Sequence, residues 1–131
     1  MRVVVDASVA LAVGLNRREG SAFQQLLEDA DEVLAPELLV PEVINTMWKF
    51  HQFEALPLDA CERAIEFALG LVDTFASSLE LHREAFLLAR TTRHPAYDMF
   101  YLALARREDA IFLTVDKALG KEAERQGIRV G

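Results

Sequence analysis

Asp6, Glu42, Asp98 and Asp116 are the residues whose type and placement suit chemistry. The chain carries 21 Asp and Glu residues, so position has to single these four out. Asp6 directly follows the run Val3-Val4-Val5, and Asp116 comes just after the apolar run Ile111-Phe112-Leu113. Glu42 and Asp98 each fall in the first turn of an expected helix. In an open parallel sheet the carboxyl ends of the strands and the adjoining helix starts share one rim, where ligands bind. Four carboxylates gathered there repel one another and raise each other's pKa unless a cation compensates. An all-oxygen set, with no suitable Cys or His, favours Mg²⁺ or Mn²⁺ over zinc, as one or two ions. Such ions turn a repulsive site into one that attracts phosphate.

Each acid alone has a plainer explanation. Asp6 and Asp116 suit the N-caps of helices beginning at Ala7 and Lys117. Glu42 and Asp98 suit the positive ends of helix dipoles. Only their convergence asks for more. Ser8, two residues after Asp6, and Thr114, two before Asp116, are placed to orient a carboxylate as supporting groups. Asn45 follows Glu42 by three and either reaches the same pocket or faces solvent. Other acids, among them Glu108, Asp109, Glu122 and Glu124, read as solvated surface. His51 and His82 read as helix-surface or boundary residues, and His94 lies near the proposed rim. The basic residues Arg17, Arg18, Lys49, Arg93 and Lys117 are candidate nucleic-acid contacts, though each also reads as ordinary solvated charge.

The elements that must position these groups alternate short apolar runs with helical stripes, the pattern of an α/β domain with a mostly parallel sheet. Strands are expected at Arg2–Val5, Glu32–Ala35, about Val72–Ala76 and Ile111–Val115, with a possible fifth at Ile128–Val130. The first is β-branched throughout, as in a strand covered on both faces. Helices are expected at Glu19–Ala30, from Pro41 onward, from a capping box at Asp59 and Glu62, from a cap at Ser77 with Glu80 to about Thr92, at Ala96–Arg107, and at Asp116–Gln126 closed by Gly127. The helix through Met99–Ala105 is apolar on every side and so buried.

With 131 residues the chain is read as one domain, residues 1–131, large enough for a core without staples. Its single cysteine, Cys61, precludes an internal disulfide and is assigned to core packing. No apolar run is long enough to cross a membrane, and an acid follows three valines at the start, which suits neither a signal peptide nor an anchor. The expected compartment is therefore the cytoplasm. The formal charge of −7 argues against binding nucleic acid mainly through a basic surface, and suits a basic protein partner. Trp48, Phe50, Phe53 and Leu56 give one helix end more apolar surface than a single stripe needs. They either receive a partner helix or, as expected for Trp48 at least, pack on the next helix.

Four segments together, Val3-Val4-Val5-Asp6-Ala7-Ser8, Pro36-Glu37-Leu38-Leu39-Val40-Pro41-Glu42-Val43, Tyr97-Asp98-Met99-Phe100-Tyr101-Leu102-Ala103-Leu104-Ala105 and Phe112-Leu113-Thr114-Val115-Asp116-Lys117, resemble the PIN-domain nucleases. Among these the chain resembles the VapC-type toxins of toxin–antitoxin pairs. The resemblance covers essentially the whole chain. It implies a three-layer α/β fold and Mg²⁺- or Mn²⁺-dependent cleavage of RNA, with Asp6, Glu42, Asp98 and Asp116 in the acidic positions and Ser8 and Thr114 supporting them. It also implies a homodimer and a cognate antitoxin that blocks the acidic pocket with a basic segment.

Two other classes fit the same acids. A phosphoryl-transfer enzyme would use Asp6 as nucleophile, but its second Asp, expected two residues on, is Ser8 here. A non-catalytic RNA- or protein-binding module would use the acids only as caps, and would lose little when Asp6 becomes Asn.

Overall fold

The computed structural model describes residues 1–131. Four parallel strands form one sheet: β1 (Arg2–Val5), β2 (Glu32–Pro36), β3 (Thr74–Ala76) and β4 (Ile111–Leu113), in the order β3-β2-β1-β4. Val3, Val4 and Val5 are fully buried, so both faces of β1 are covered and the β-branched run is explained. Seven helices flank the sheet: α1 (Ala7–Gly14), α2 (Ser21–Asp29), α3 (Leu39–Glu54), α4 (Leu58–Gly70), α5 (Ser78–Thr92), α6 (Ala96–Arg107) and α7 (Lys117–Arg125). As its all-round apolarity requires, α6 packs against α5 on one side and against β1, β2 and β4 on the other. No helix is long and apolar enough to cross a membrane.

The chain steps outward from β1 to β2 to β3, then returns to lay β4 on the other side of β1. The strand order therefore reverses between β1 and β4. In such sheets the crevice beyond the carboxyl ends at the reversal is where ligands bind. Asp6 and Asp116 lie just past those two ends.

Several boundaries differ from the expectations. The fifth strand reduces to a single bridge between Val130 and Phe112, because β4 is short and only Phe112 presents a free pair of backbone groups, to Arg129 and Gly131. β4 stops at Leu113 because the backbone beyond it turns to side chains, the Val115 N–H to Ser8 Oγ and the Asp116 N–H to Thr114 Oγ1. The helix expected from Glu19 opens as a 3-10 turn at Arg18–Gly20 before α2 begins. Pro41 is the third residue of α3 rather than its opener, still within the turn whose N–H groups lack helical partners.

The capping box at Asp59 and Glu62 does not form. Pro57 holds the extended backbone that launches α4 from Leu58, so Asp59 lies inside the first turn and pairs with Arg63 at 3.1 Å. Ser77, by contrast, caps α5 as expected, its Oγ accepting from the Glu80 N–H at 3.2 Å. Ser77→Ala is expected to cost about 1 kcal/mol, read as a lowered urea midpoint, with Ser77→Asp near wild type. Equal midpoints for Ser77→Ala and wild type would remove the cap from the account.

Trp48 lies outside the core rather than buried in it. Val43 and Met47 are the buried residues of this face of α3, and at the α3–α4 seam the Cys61 thiol donates to the Met47 carbonyl at 3.9 Å. One residue on is about 100° round the helix. Trp48 is consequently 52% exposed and meets the exposed Phe53 edge to face, ring centres 5.6 Å apart. Phe50 and Leu56 do pack against the core. Glu122 is not solvated surface either. It lies on the inner face of α7 beside Leu119 and Ala123, 7% exposed, where the Arg125 guanidinium at 2.7 Å and the Gln126 amide satisfy it.

Candidate active site

A cavity of about 190 Å³ opens at the sheet's reversal point, lined by Asp6, Ala7, Ser8, Glu42, Asp98, Tyr101, Asp116 and Leu119. All four acids singled out in the sequence line it. No Lys, Arg or His does.

Asp6 forms the buried end, 8% exposed. It is the N-cap of α1, its Oδ1 accepting from the Val9 N–H at 3.0 Å and from the Ser8 hydroxyl at 2.6 Å. Capping and convergence are therefore not rivals: the cap is what aims the carboxylate. Thr114, itself buried, stands beside Asp6, whose pKa its hydroxyl lowers, and accepts from the Asp116 N–H at 3.1 Å. Ser8 Oγ accepts from the Val115 N–H at 3.1 Å, tying the start of α1 to the segment after β4. The two hydroxyls thus lace the β1 and β4 ends together around one carboxylate. Asp116 is exposed at the mouth, capping α7 through the Ala118 and Leu119 N–H groups.

Glu42 and Asp98 stand between, half-buried in the first turns of α3 and α6. Burial raises the pKa of Asp6 above the ordinary carboxylate value, with the Asp98 charge adding to it, against the lowering effect of Ser8, Thr114 and Val9. Burial likewise raises Glu42, with Asp98 and Asp6 adding, opposed by its bond from Tyr101. Burial and the Asp116 charge raise Asp98, while His94 opposes. Like charges sharing a half-dry cleft account for this pattern.

Tyr101 belongs to the site, and sequence reading assigned it only to the buried helix. Its hydroxyl donates to Glu42 Oε1, its ring lies against Phe112, and the residue is 2% exposed. Burial and the Glu42 carboxylate push its pKa well above the ordinary value, so it remains a hydrogen donor. Two signals pointed to it: a buried Tyr must partner its hydroxyl, and it follows Asp98 by three, on the same helix face.

Asn45 is exposed and is not among the cavity's lining residues. His51 and His82 are exposed, each ring bonded to a nearby carbonyl, while His94 is half-buried near Asp98. Of the basic candidates, Arg17 lines a neighbouring cavity and Lys117 a third one beside Asp116; Arg18, Lys49 and Arg93 are exposed elsewhere.

No three His, Cys, Asp or Glu side chains stand close enough to hold a cation as a closed cage. The four carboxylates instead line the walls of a cavity with room for solvent. That donor set fits a small, hard divalent cation, which keeps several of its waters and needs only one or two carboxylates directly.

The PIN-domain family model matches residues 3–124, and the chain belongs to that family. It is 28% identical over 127 residues to Ribonuclease VapC3 of Pyrobaculum aerophilum, a match spanning 93% of this chain and 95% of that protein. Its fold is similar to that in the crystal structure of PAE2754, also from Pyrobaculum aerophilum. The TM-score is 0.73 at 18% identity, over 93% of this chain and 87% of the other.

Proposed function

We propose that this chain is an endoribonuclease, the toxin of a toxin–antitoxin pair, hydrolysing RNA phosphodiester bonds at the cavity of Asp6, Glu42, Asp98 and Asp116. The observation that carries the reading is four carboxylates from distant parts of the chain lining one small cavity with no cationic side chain among them. Membership of the PIN-domain family and the likeness to Ribonuclease VapC3 support it.

Asp6 and Asp98 would hold one or two Mg²⁺ or Mn²⁺ ions directly, with Glu42 and Asp116 completing the set through the waters the ions keep. A bound divalent cation supplies the positive charge that attracts the substrate phosphate and eases loss of a proton from water. The protein's own groups do the positioning. Ser8, Thr114 and the Val9 N–H fix Asp6, and the Tyr101 hydroxyl fixes Glu42. Glu42 or Asp116 accepts the proton of the water that attacks in line with the leaving oxygen.

An acidic cleft of this kind also fits a basic segment of an inhibitory antitoxin. The exposed Trp48–Phe53 pair offers that partner an apolar contact. A second copy of the chain finds an apolar face on α5, where Leu79, Phe86 and Leu87 are exposed at helical spacing, so a homodimer belongs to this reading. The cytoplasm, where RNA is available, is the proposed compartment.

The test is incubation of purified, partner-free protein with mixed RNA. Cutting is expected with Mg²⁺ or Mn²⁺, should stop on adding EDTA, and should return with excess Mn²⁺. Undiminished cutting in EDTA would overturn the metal-dependent site. Absence of cutting, with no effect of either metal on thermal melting, would overturn the reading altogether.

A further inference from the structure

We propose that the cavity beside the acidic one is a nucleobase subsite, taking the base of a nucleotide next to the scissile phosphate. The inference rests on the ribonuclease reading and names a part of its substrate site. The cavity holds about 270 Å³ and is lined by Leu11, Leu15, Phe50, Val115, Arg17 and Thr46 among others. Ala7 and Ser8 line both cavities, so the two are contiguous. An RNA strand with a phosphate at the carboxylates therefore reaches this hollow with its adjoining nucleotide.

Its size and chemistry select the occupant. The volume falls just below the range of about 300–1,000 Å³ for drug-sized ligands. That suits a single flat base and not a helix, whose diameter with side chains is about 10–12 Å. The Arg17 guanidinium lies over the Phe50 ring, 4.7 Å from its centre. Aromatic rings and guanidinium planes are the surfaces on which unpaired bases stack.

Arg17 is also the sole cationic side chain lining either cavity, the one place where the cleft answers the substrate's charge. Its backbone is pinned. Asn16 turns the chain at φ 56°, the Arg17 N–H donates to the Ala12 carbonyl at 2.8 Å, and the Gly20 N–H donates to the Arg17 carbonyl at 3.0 Å.

The polar edge of the hollow points to a preference among bases. Thr46 donates its hydroxyl proton to the Glu42 carbonyl at 2.9 Å, which leaves its oxygen as an acceptor. Glu19, the other polar group beside Arg17, accepts only. Two acceptors favour bases that present an exocyclic amino group, with its two N–H donors, over uracil, whose one N3–H sits between two carbonyl acceptors that oppose them; adenine, cytosine or guanine therefore binds in preference to uracil.

Two measurements test this. In the first, a randomised RNA oligonucleotide pool is cut by wild type, Arg17→Gln and Phe50→Leu, and the ends are sequenced. Wild type is expected to disfavour uracil at one position beside the cut, and each variant to flatten that position while metal-dependent cutting persists. In the second, a 2-aminopurine tetraribonucleotide is titrated into Asp98→Asn protein, with and without the same changes. Quenching is expected in the parent, and Arg17→Gln, which removes the guanidinium plane, should weaken binding roughly tenfold, with Phe50→Leu, which removes the ring beneath it, acting in the same direction.

Unchanged cut profiles and unchanged quenching in both folded variants would overturn the subsite and leave the hollow to a protein partner. Variant-sensitive quenching without any cutting by wild type would support the base site while overturning the nuclease reading.

Discussion

Asp98→Asn is expected to lower RNA cutting by about 10²–10⁴-fold, the size of a lost acid–base or charge-stabilising group, and at the same time to raise the melting temperature of the metal-free protein. The two effects share one cause. Asp98 stands in a half-buried cleft opposite Asp116, and its charge also raises the pKa of Asp6 and of Glu42. Removing it ends its own buried charge and relieves Asp6 and Glu42 as well.

The pH dependence has a definite sign. Asp98 binds its proton more tightly folded than unfolded, so ionising it favours the unfolded chain. Below the ordinary carboxylate range, about pH 4, both states are protonated and nothing is lost. As pH rises through the raised folded value, stability falls. The advantage of Asp98→Asn is then full at neutral or alkaline pH and shrinks towards zero on acidification. Differential scanning calorimetry between pH 4 and 8 in EDTA would follow it, with an expected gain of a few degrees at the upper end, about 3–5 °C for each kcal/mol.

Adding Mg²⁺ or Mn²⁺ should raise the melting temperature of wild type more than that of the variant, because a ligand of the folded state stabilises it in proportion to occupancy. A variant that cuts as fast as wild type would remove Asp98 from the chemistry. A variant that melts lower than wild type at pH 8 would remove the strain.

Gly20→Ala is expected to destabilise the protein by about 3 kcal/mol, a fall in melting temperature of roughly 10 °C. The cause is space, not backbone freedom. Gly20 has φ −72°, which any residue adopts. A Cβ there would lie 2.6 Å from the Ala12 carbonyl carbon and 2.7 Å from the Ala12 oxygen and the Val13 nitrogen. All three are backbone atoms of α1, so no side chain can turn aside, and the 3-10 turn must part from the helix that Asp6 caps. Gly70→Ala is the control, since a Cβ there meets nothing within 4 Å. Guanidinium denaturation of both variants reads the contrast. Equal midpoints would mean that the turn moves at no cost.

Much of this arrangement was legible in the sequence because it is local. The valine run of β1, the bounds of α6, the Ser77 cap and the stop at Gly127, with φ +79°, each follow from residues within a few positions of one another. The four acids were legible because strand ends and helix starts are local signals, and the rim of a parallel sheet gathers them. What escaped depended on partners distant in the chain. The hydroxyl of Tyr101 finds Glu42 across 59 positions. Glu122 is drawn inside by the face α7 turns to the core, and Trp48 is left outside because Met47 takes the seam. The failed capping box shows a local signal overruled by a stronger one, since Pro57 sets the start of α4 before Asp59 is reached.

The position of β4 has a consequence for how the protein comes into being. β1 pairs on one side with β2 but on the other, through Val3, Val4 and Val5, with residues 111–113, so one edge of the central strand waits until β4 has been made. During synthesis on the ribosome, Asp6 emerges well before Asp116 and the Thr114 hydroxyl. The catalytic cleft of the proposed nuclease is thus incomplete on every nascent chain shorter than that, and the ribosome making it is spared a finished RNA-cutting enzyme. The same delay leaves an apolar strand edge unpaired, so a chain cut short before β4 is expected to be prone to aggregation and to lack the proposed cleft.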